Sequence, residues 1–166
     1  MAHAHHRHDV GAIRIAILTV SDTRTTEDDS SGRRIREMAT AAGHEIVDYR
    51  IIPDEAAQIR WAAHTAARGA DALILSGGTG IAPRDVTYEV IAAMLDKEIS
   101  GFGELFRSLS FAEIGAAAML SRALAGTVAG KLVFALPGST KAVELALEKL
   151  ILPQLGHMVG LLRAGR

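Results

Sequence analysis

Three short runs of almost unbroken apolar residues constrain the chain more than any other feature. They cover residues 12–20, 72–75 and 131–136, and each stops abruptly at a polar or glycine-rich turn. Apolar runs of this length, rich in β-branched residues, predict strands buried on both faces, as in parallel sheets. A fourth expected strand, residues 44–52, stops at Pro53. Helical patterns separate them. One starts at Ser30 or Ser31 as cap and closes at Gly43. One starts at Asp54 as cap and runs to about residue 68. Others cover about 87–95 and 103–120, the latter with a break near Phe111. The last helical region starts at Ser139 or Thr140, and Pro153 is expected to kink it. Four alternations of strand and helix predict an α/β fold, a three-layer α/β/α sandwich around a mostly parallel sheet.

With 166 residues the chain is long enough for one domain with a full core. Residues 10–166 are expected to form it, preceded by a disordered His-rich arm over residues 1–9. A formal charge of −1 and 4% aromatic residues give no basic stripe or stacking platform, so no nucleic-acid partner is expected. The absence of cysteine excludes disulfides and thiolate chemistry and accords with a cytoplasmic protein. No apolar run reaches the length of a membrane span, so no membrane association is expected.

Ligands of open parallel sheets bind beyond the carboxyl ends of the strands. Three such ends here are polar: Ser21-Asp22; Gly77, Gly78, Thr79 and Gly80; and Pro137, Gly138 and Ser139. The glycine turn suits a nest of backbone N–H groups for phosphate oxygens. It lacks the lysine of a P-loop and the six-residue dinucleotide fingerprint. Asp54 and Asp85 are each open to two readings, a helix cap or a carboxylate that works with Mg²⁺ beside phosphates; Thr87 shares the capping one. Arg122 reads as a phosphate partner or a solvated side chain, and Lys141 as a phosphate ligand or helix decoration. The acid run Glu27-Asp28-Asp29 reads as a solvated loop face. Trp61 reads as helix packing or a subunit contact. The alanine-rich stretch 114–129 suits a contact with another subunit.

Thr-Val-Ser-Asp, Ile-Pro-Asp-Glu, Gly-Gly-Thr-Gly with Pro-Arg-Asp-Val-Thr, Gly-Phe-Gly-Glu, Leu-Ser-Arg and Leu-Pro-Gly-Ser-Thr-Lys follow in that order. The ordered set resembles the molybdenum-cofactor biosynthesis proteins of the B and Mog type over residues 12–155. The resemblance implies binding of molybdopterin, a pterin with a dithiolene and a terminal phosphate. It implies adenylylation of that phosphate by Mg²⁺-ATP, giving adenylyl-molybdopterin and pyrophosphate. It further implies a homo-oligomer, trimer or hexamer, and dealings with other proteins of the pathway. By motif, Asp54 and Asp85 take the place of the family's two essential acids, with Mg²⁺ and substrate positioning as their task. Gly77, Gly78, Thr79 and Gly80 match its nucleotide-phosphate loop. Ser21, Ser110, Pro137, Gly138 and Ser139 match its pterin side. Ala135 stands where the catalytic branch tends to carry asparagine, and Ser139-Thr140-Lys141 follows the B style. The alternative is therefore a non-catalytic molybdopterin carrier.

Overall fold

The computed structural model describes residues 10–165; the expected His-rich arm, residues 1–9, lies outside them. Six strands form one mixed sheet in the order β2-β1-β3-β6-β5-β4. They are β1 (Arg14–Val20), β2 (Glu45–Ile52), β3 (Ala72–Ser76), β4 (Lys97–Glu98), β5 (Leu124–Val128) and β6 (Lys131–Leu136). Strands β2, β1, β3 and β6 run parallel, and β5 is antiparallel to both its neighbours.

The helices are α1 (Ser30–Ala41), α2 (Ala56–Gly69), α3 (Thr87–Met94), α4 (Ser100–Ile114), α5 (Thr140–Ala146) and α6 (Leu152–Ala164). Two apolar layers hold them to the sheet, because alternate residues of each strand point to opposite faces. Ile15, Ile17, Ile74, Phe134 and Leu136 pack under α1, α4, α5 and α6. Ala16, Leu18, Leu73, Leu75, Val133 and Ala135 pack under α2 and α3. This is the expected three-layer α/β/α sandwich, and β1, β3 and β6 are buried on both faces.

Several local expectations need correction. Asp29, not Ser30 or Ser31, caps α1: its carboxylate accepts from the Gly32 N–H. Asp54 does not cap α2. Glu55 holds that position without a side-chain capping bond. Neither Asp85 nor Thr87 caps α3, whose cap position is Val86. The helix expected over 103–120 breaks at Gly115, at φ +64, rather than near Phe111, and continues as a 3₁₀ turn over Gly115–Leu120. The stretch 114–129 is not one surface segment. Ala123, Leu124 and Ala125 are buried, and β5 enters the sheet. Pro153 is accommodated by a π-helical stretch, Leu147–Ile151, joining α5 to α6, as a residue without an N–H requires.

That joined helix, Thr140–Ala164, is long and apolar enough to cross a membrane by length and composition alone. Its stripe of Val143, Leu147, Ile151, Leu155 and Val159 is nevertheless buried in the core.

Candidate ligand-binding cleft

Strand β1 is where the chain's direction of winding changes: β2 lies on one side of it and β3 on the other. Such a point leaves a crevice beyond the strand ends. A cleft of about 590 Å³ occupies it. Ser21, Gly77, Gly78, Thr79, Gly80, Asp85, Ser110, Pro137, Gly138 and Ser139 all line it. Asp54 does not. It sits behind the glycine turn, with Oδ1 about 3.2 Å from where a Gly78 side chain would begin.

The glycine turn is tight for stated reasons. Gly77 has φ +99, and a Cβ there would collide with the Val20 carbonyl. Gly78 has φ +68, and its missing Cβ leaves room for Thr87 Oγ1. The Gly77 N–H bonds the Leu136 carbonyl at 3.0 Å, and the Thr87 N–H bonds the Gly78 carbonyl at 2.9 Å. From the far side, Arg122 donates to the carbonyls of Thr79 (3.1 Å) and Gly80, pairs with Glu89 and lies over the Tyr88 ring. Arg122 is thus neither a free phosphate partner nor a solvated side chain; it clamps the turn.

The acids surround this turn. Asp85 Oδ2 accepts from the Ala82 N–H at 3.2 Å and packs against Gly80. Asp22, which pairs with Arg84, accepts the Asp54 N–H at 2.8 Å and so fixes the Asp54 backbone. Burial raises the Asp54 pKa. The Asp85 and Asp22 charges raise it further, against a backbone hydrogen bond from Val86 and the Arg84 charge. Among the described residues, three buried side-chain oxygens lack a hydrogen-bond partner: Asp54 Oδ1, Thr87 Oγ1 and Ser121 Oγ. The first two meet at Gly78, and Ser121 lines the cleft. Unpaired buried oxygens are costly unless a ligand completes them.

Asp54 has the chemistry of a cation ligand, a carboxylate with an orphaned, buried oxygen whose pKa is raised by burial and by the Asp85 and Asp22 charges. No group of three or more His, Cys, Asp or Glu side chains among the described residues is arranged to hold a metal. Mg²⁺ takes one or two carboxylates and fills its shell from phosphates and water, so it needs no such cluster.

Sequence reasoning missed Asp29 and Arg24. Asp29 is fully buried, not part of a solvated face. It accepts from Thr19 Oγ1 (2.6 Å), Tyr49 Oη, Ser31 Oγ (3.1 Å), the Gly32 N–H (3.0 Å) and Arg24. Burial alone would raise its pKa; those hydrogen bonds outweigh burial and leave it lowered. Burial and the Asp29 hydrogen bond push the Tyr49 hydroxyl up to about 12. The available signal was an arginine just past a strand end with an acid five residues on. Trp61 is two-thirds exposed, so it is not a packing residue; Arg50 stacks on it at 5.8 Å.

The fold and cleft together define a class: an α/β/α protein with a cleft lined by glycine turns at a strand-order reversal. Comparison with known proteins narrows it. Residues 16–157 match the family described as a "probable molybdopterin binding domain". Molybdenum cofactor biosynthesis protein B of Halalkalibacterium halodurans is 52% identical over 158 residues, covering 93% of each chain. A crystal structure of a molybdenum cofactor biosynthesis protein B superposes with a TM-score of 0.89 at 49% identity, covering 92% of this chain and 97% of that one. The tungsten cofactor synthesizing protein of Pyrococcus furiosus superposes with a TM-score of 0.84 at 39% identity, covering 92% and 98%. The chain belongs to this molybdopterin-binding family, and its role lies in molybdenum cofactor biosynthesis.

Proposed function

We propose that the protein transfers the adenylyl group of Mg²⁺-ATP to the terminal phosphate of molybdopterin, releasing pyrophosphate. The observation that carries this reading is the glycine turn lining the cleft, with Asp85 against Gly80 on one side and the orphaned, buried Asp54 Oδ1 at the back of Gly78.

The N–H groups of Gly78, Thr79 and Gly80 cradle the nucleotide phosphates, and Gly77, whose N–H is held by the Leu136 carbonyl, sets the turn that aims them. Asp54 and Asp85 would hold Mg²⁺, which would supply charge neutralisation for the triphosphate. Ser21, Ser110, Pro137, Gly138 and Ser139 form the pterin side of the cleft. A phosphate oxygen of molybdopterin attacks the α-phosphorus, and the bond from that phosphorus to the α,β-bridging oxygen breaks. The nucleophile is already anionic at neutral pH, so no general base is required. The chain contributes in-line placement and fixed donors instead.

Ala135 accords with this reading. It is fully buried under α2 and α3 and does not line the cleft. The exposed Phe111, Ile114, Met119 and Leu120 suit a homo-oligomer, and a reducing cytoplasm suits a dithiolene ligand. The test is mass spectrometry of the pterin product after incubation with Mg²⁺-ATP. Adenylyl-molybdopterin formed by the wild type and not by Asp54→Asn supports the reading. Tight molybdopterin binding with no adenylylated product leaves a carrier.

A further inference from the structure

Among the described residues lining the cleft, Arg24 is the one cation and Asp85 the one acid. They stand at different ends of the glycine turn. Asp85 packs on Gly80. Arg24 Nη2 donates to the Gly138 carbonyl at 3.2 Å, and a Cβ on Gly138 would stand 3.3 Å from Gly77 Cα. The Arg24 backbone is set by the turn that closes β1, where Ser21 Oγ accepts the N–H groups of Thr23 (3.2 Å) and Arg24 (3.1 Å). Its Nη1 donates to Ser31 Oγ at 2.8 Å and to Asp29 Oδ1 at 3.5 Å. Behind it, Thr19, Tyr49 and the Gly32 N–H lock Asp29, and Ser31 touches Ser76 Oγ at 3.3 Å at the root of the glycine turn.

A guanidinium carries five N–H donors. These contacts occupy Nη1 and one hydrogen of Nη2. Among the described residues, no acceptor takes the Nε–H or the second Nη2–H. The side chain stays one-third exposed, toward the cleft it lines. A buried carboxylate with four other donors therefore presents a fixed cation whose remaining donors are free for an anion.

The charge balance of the reaction says which anion. Adenylyl transfer brings an anionic phosphate nucleophile against a triphosphate, and like charges at contact repel strongly. The Asp54–Asp85 end serves the triphosphate through its cation. We propose that Arg24 binds the terminal phosphate of the acceptor, and that Asp29 is the positioning residue that holds Arg24 for it. This rests on the adenylyl-transfer reading above. Arginine suits the task because its planar fork matches phosphate geometry.

The experiment compares anaerobic binding of molybdopterin and of its phosphatase-treated, dephosphorylated form, by calorimetry, in four proteins. The wild type is expected to prefer the phosphorylated pterin by about tenfold or more, the worth of one charge-assisted pair. Arg24→Ala is expected to lose that preference and bind both forms alike. Arg24→Lys keeps the charge but not the fork, and retains a smaller preference, which is also the readout should the alanine variant fail to fold. Asp29→Asn is expected to lower the preference. An undiminished preference in Arg24→Ala, or an equal loss for both pterins, overturns the proposal; the second result makes Arg24 a structural latch between two loops. A wild type with no phosphate preference also overturns it while leaving adenylyl transfer standing. A wild type that binds neither pterin overturns the functional reading and this proposal with it.

Discussion

Replacing Gly78 with alanine tests the geometry of the glycine turn quantitatively. At φ +68 a Cβ costs roughly 1–2 kcal/mol in backbone strain alone. It would also collide with Thr87 Oγ1 and sit about 3.2 Å from Asp54 Oδ1. Thr87 is fully buried and cannot swing away. Overpacking of that kind adds about 1–3 kcal/mol. Gly43→Ala supplies the reference, since Gly43 has φ +87 with nothing within 4 Å of its Cβ position, so it carries the backbone cost alone. Urea unfolding of both variants is therefore expected to show Gly78→Ala less stable than Gly43→Ala by about 1–3 kcal/mol. Calorimetry with Mg²⁺-ATP is expected to show binding lost in Gly78→Ala and kept in Gly43→Ala. Equal stability losses, or unaltered ATP affinity in Gly78→Ala, would refute the argument that this glycine is fixed by Thr87, Asp54 and a phosphate nest.

Four further outcomes follow from the same contacts. Asp54→Asn is expected to abolish turnover yet raise the melting temperature of the ligand-free protein near pH 7.5. The folded-state pKa of Asp54 is raised, so its ionised form destabilises the fold above that value, and the penalty disappears as pH falls through it; the gain should fade toward pH of about 4. Tyr49→Phe removes one donor from the buried Asp29 and should cost about 1.5–3 kcal/mol in chemical denaturation. Asp29 has the opposite sign: its folded pKa is lowered, so the stability it gives is present above about pH 4 and lost as pH falls through the lower value, and Tyr49→Phe should unfold at a higher pH on acid titration. Arg122→Ala frees the Thr79 and Gly80 carbonyls and should weaken ATP binding by about tenfold, read by calorimetry, more than molybdopterin binding.

The layers of the fold were legible because β1, β3 and β6 are continuous apolar runs, and only a doubly covered sheet uses such runs. Strands β4 and β5 were not. Lys97–Glu98 is too short to carry a pattern, and Leu124–Val128 lies in an alanine-rich stretch with Gly126 at its centre. That glycine is needed because a Cβ there would meet the Lys97 carbonyl and the Leu95 side chain, contacts set by a neighbouring strand and invisible locally. The cleft itself was readable from three polar strand ends. Its supports were not. Asp29 looks like one acid among three until Thr19 and Tyr49, from separate strands, converge on it. Asp54 looks like a helix cap until the fold turns it to the back of Gly78. Arg122 follows β3 by more than forty residues, and only the β5 connection returns it to the glycine turn.

Pyrophosphate release from Mg²⁺-ATP by the purified protein, with and without molybdopterin, tests the central claim most directly, with Asp85→Asn measured alongside. Release is expected to require molybdopterin and to disappear in Asp85→Asn, while that variant still binds the pterin. Pterin-independent release, release undiminished in the variant, or none from a wild type that binds molybdopterin tightly would contradict it.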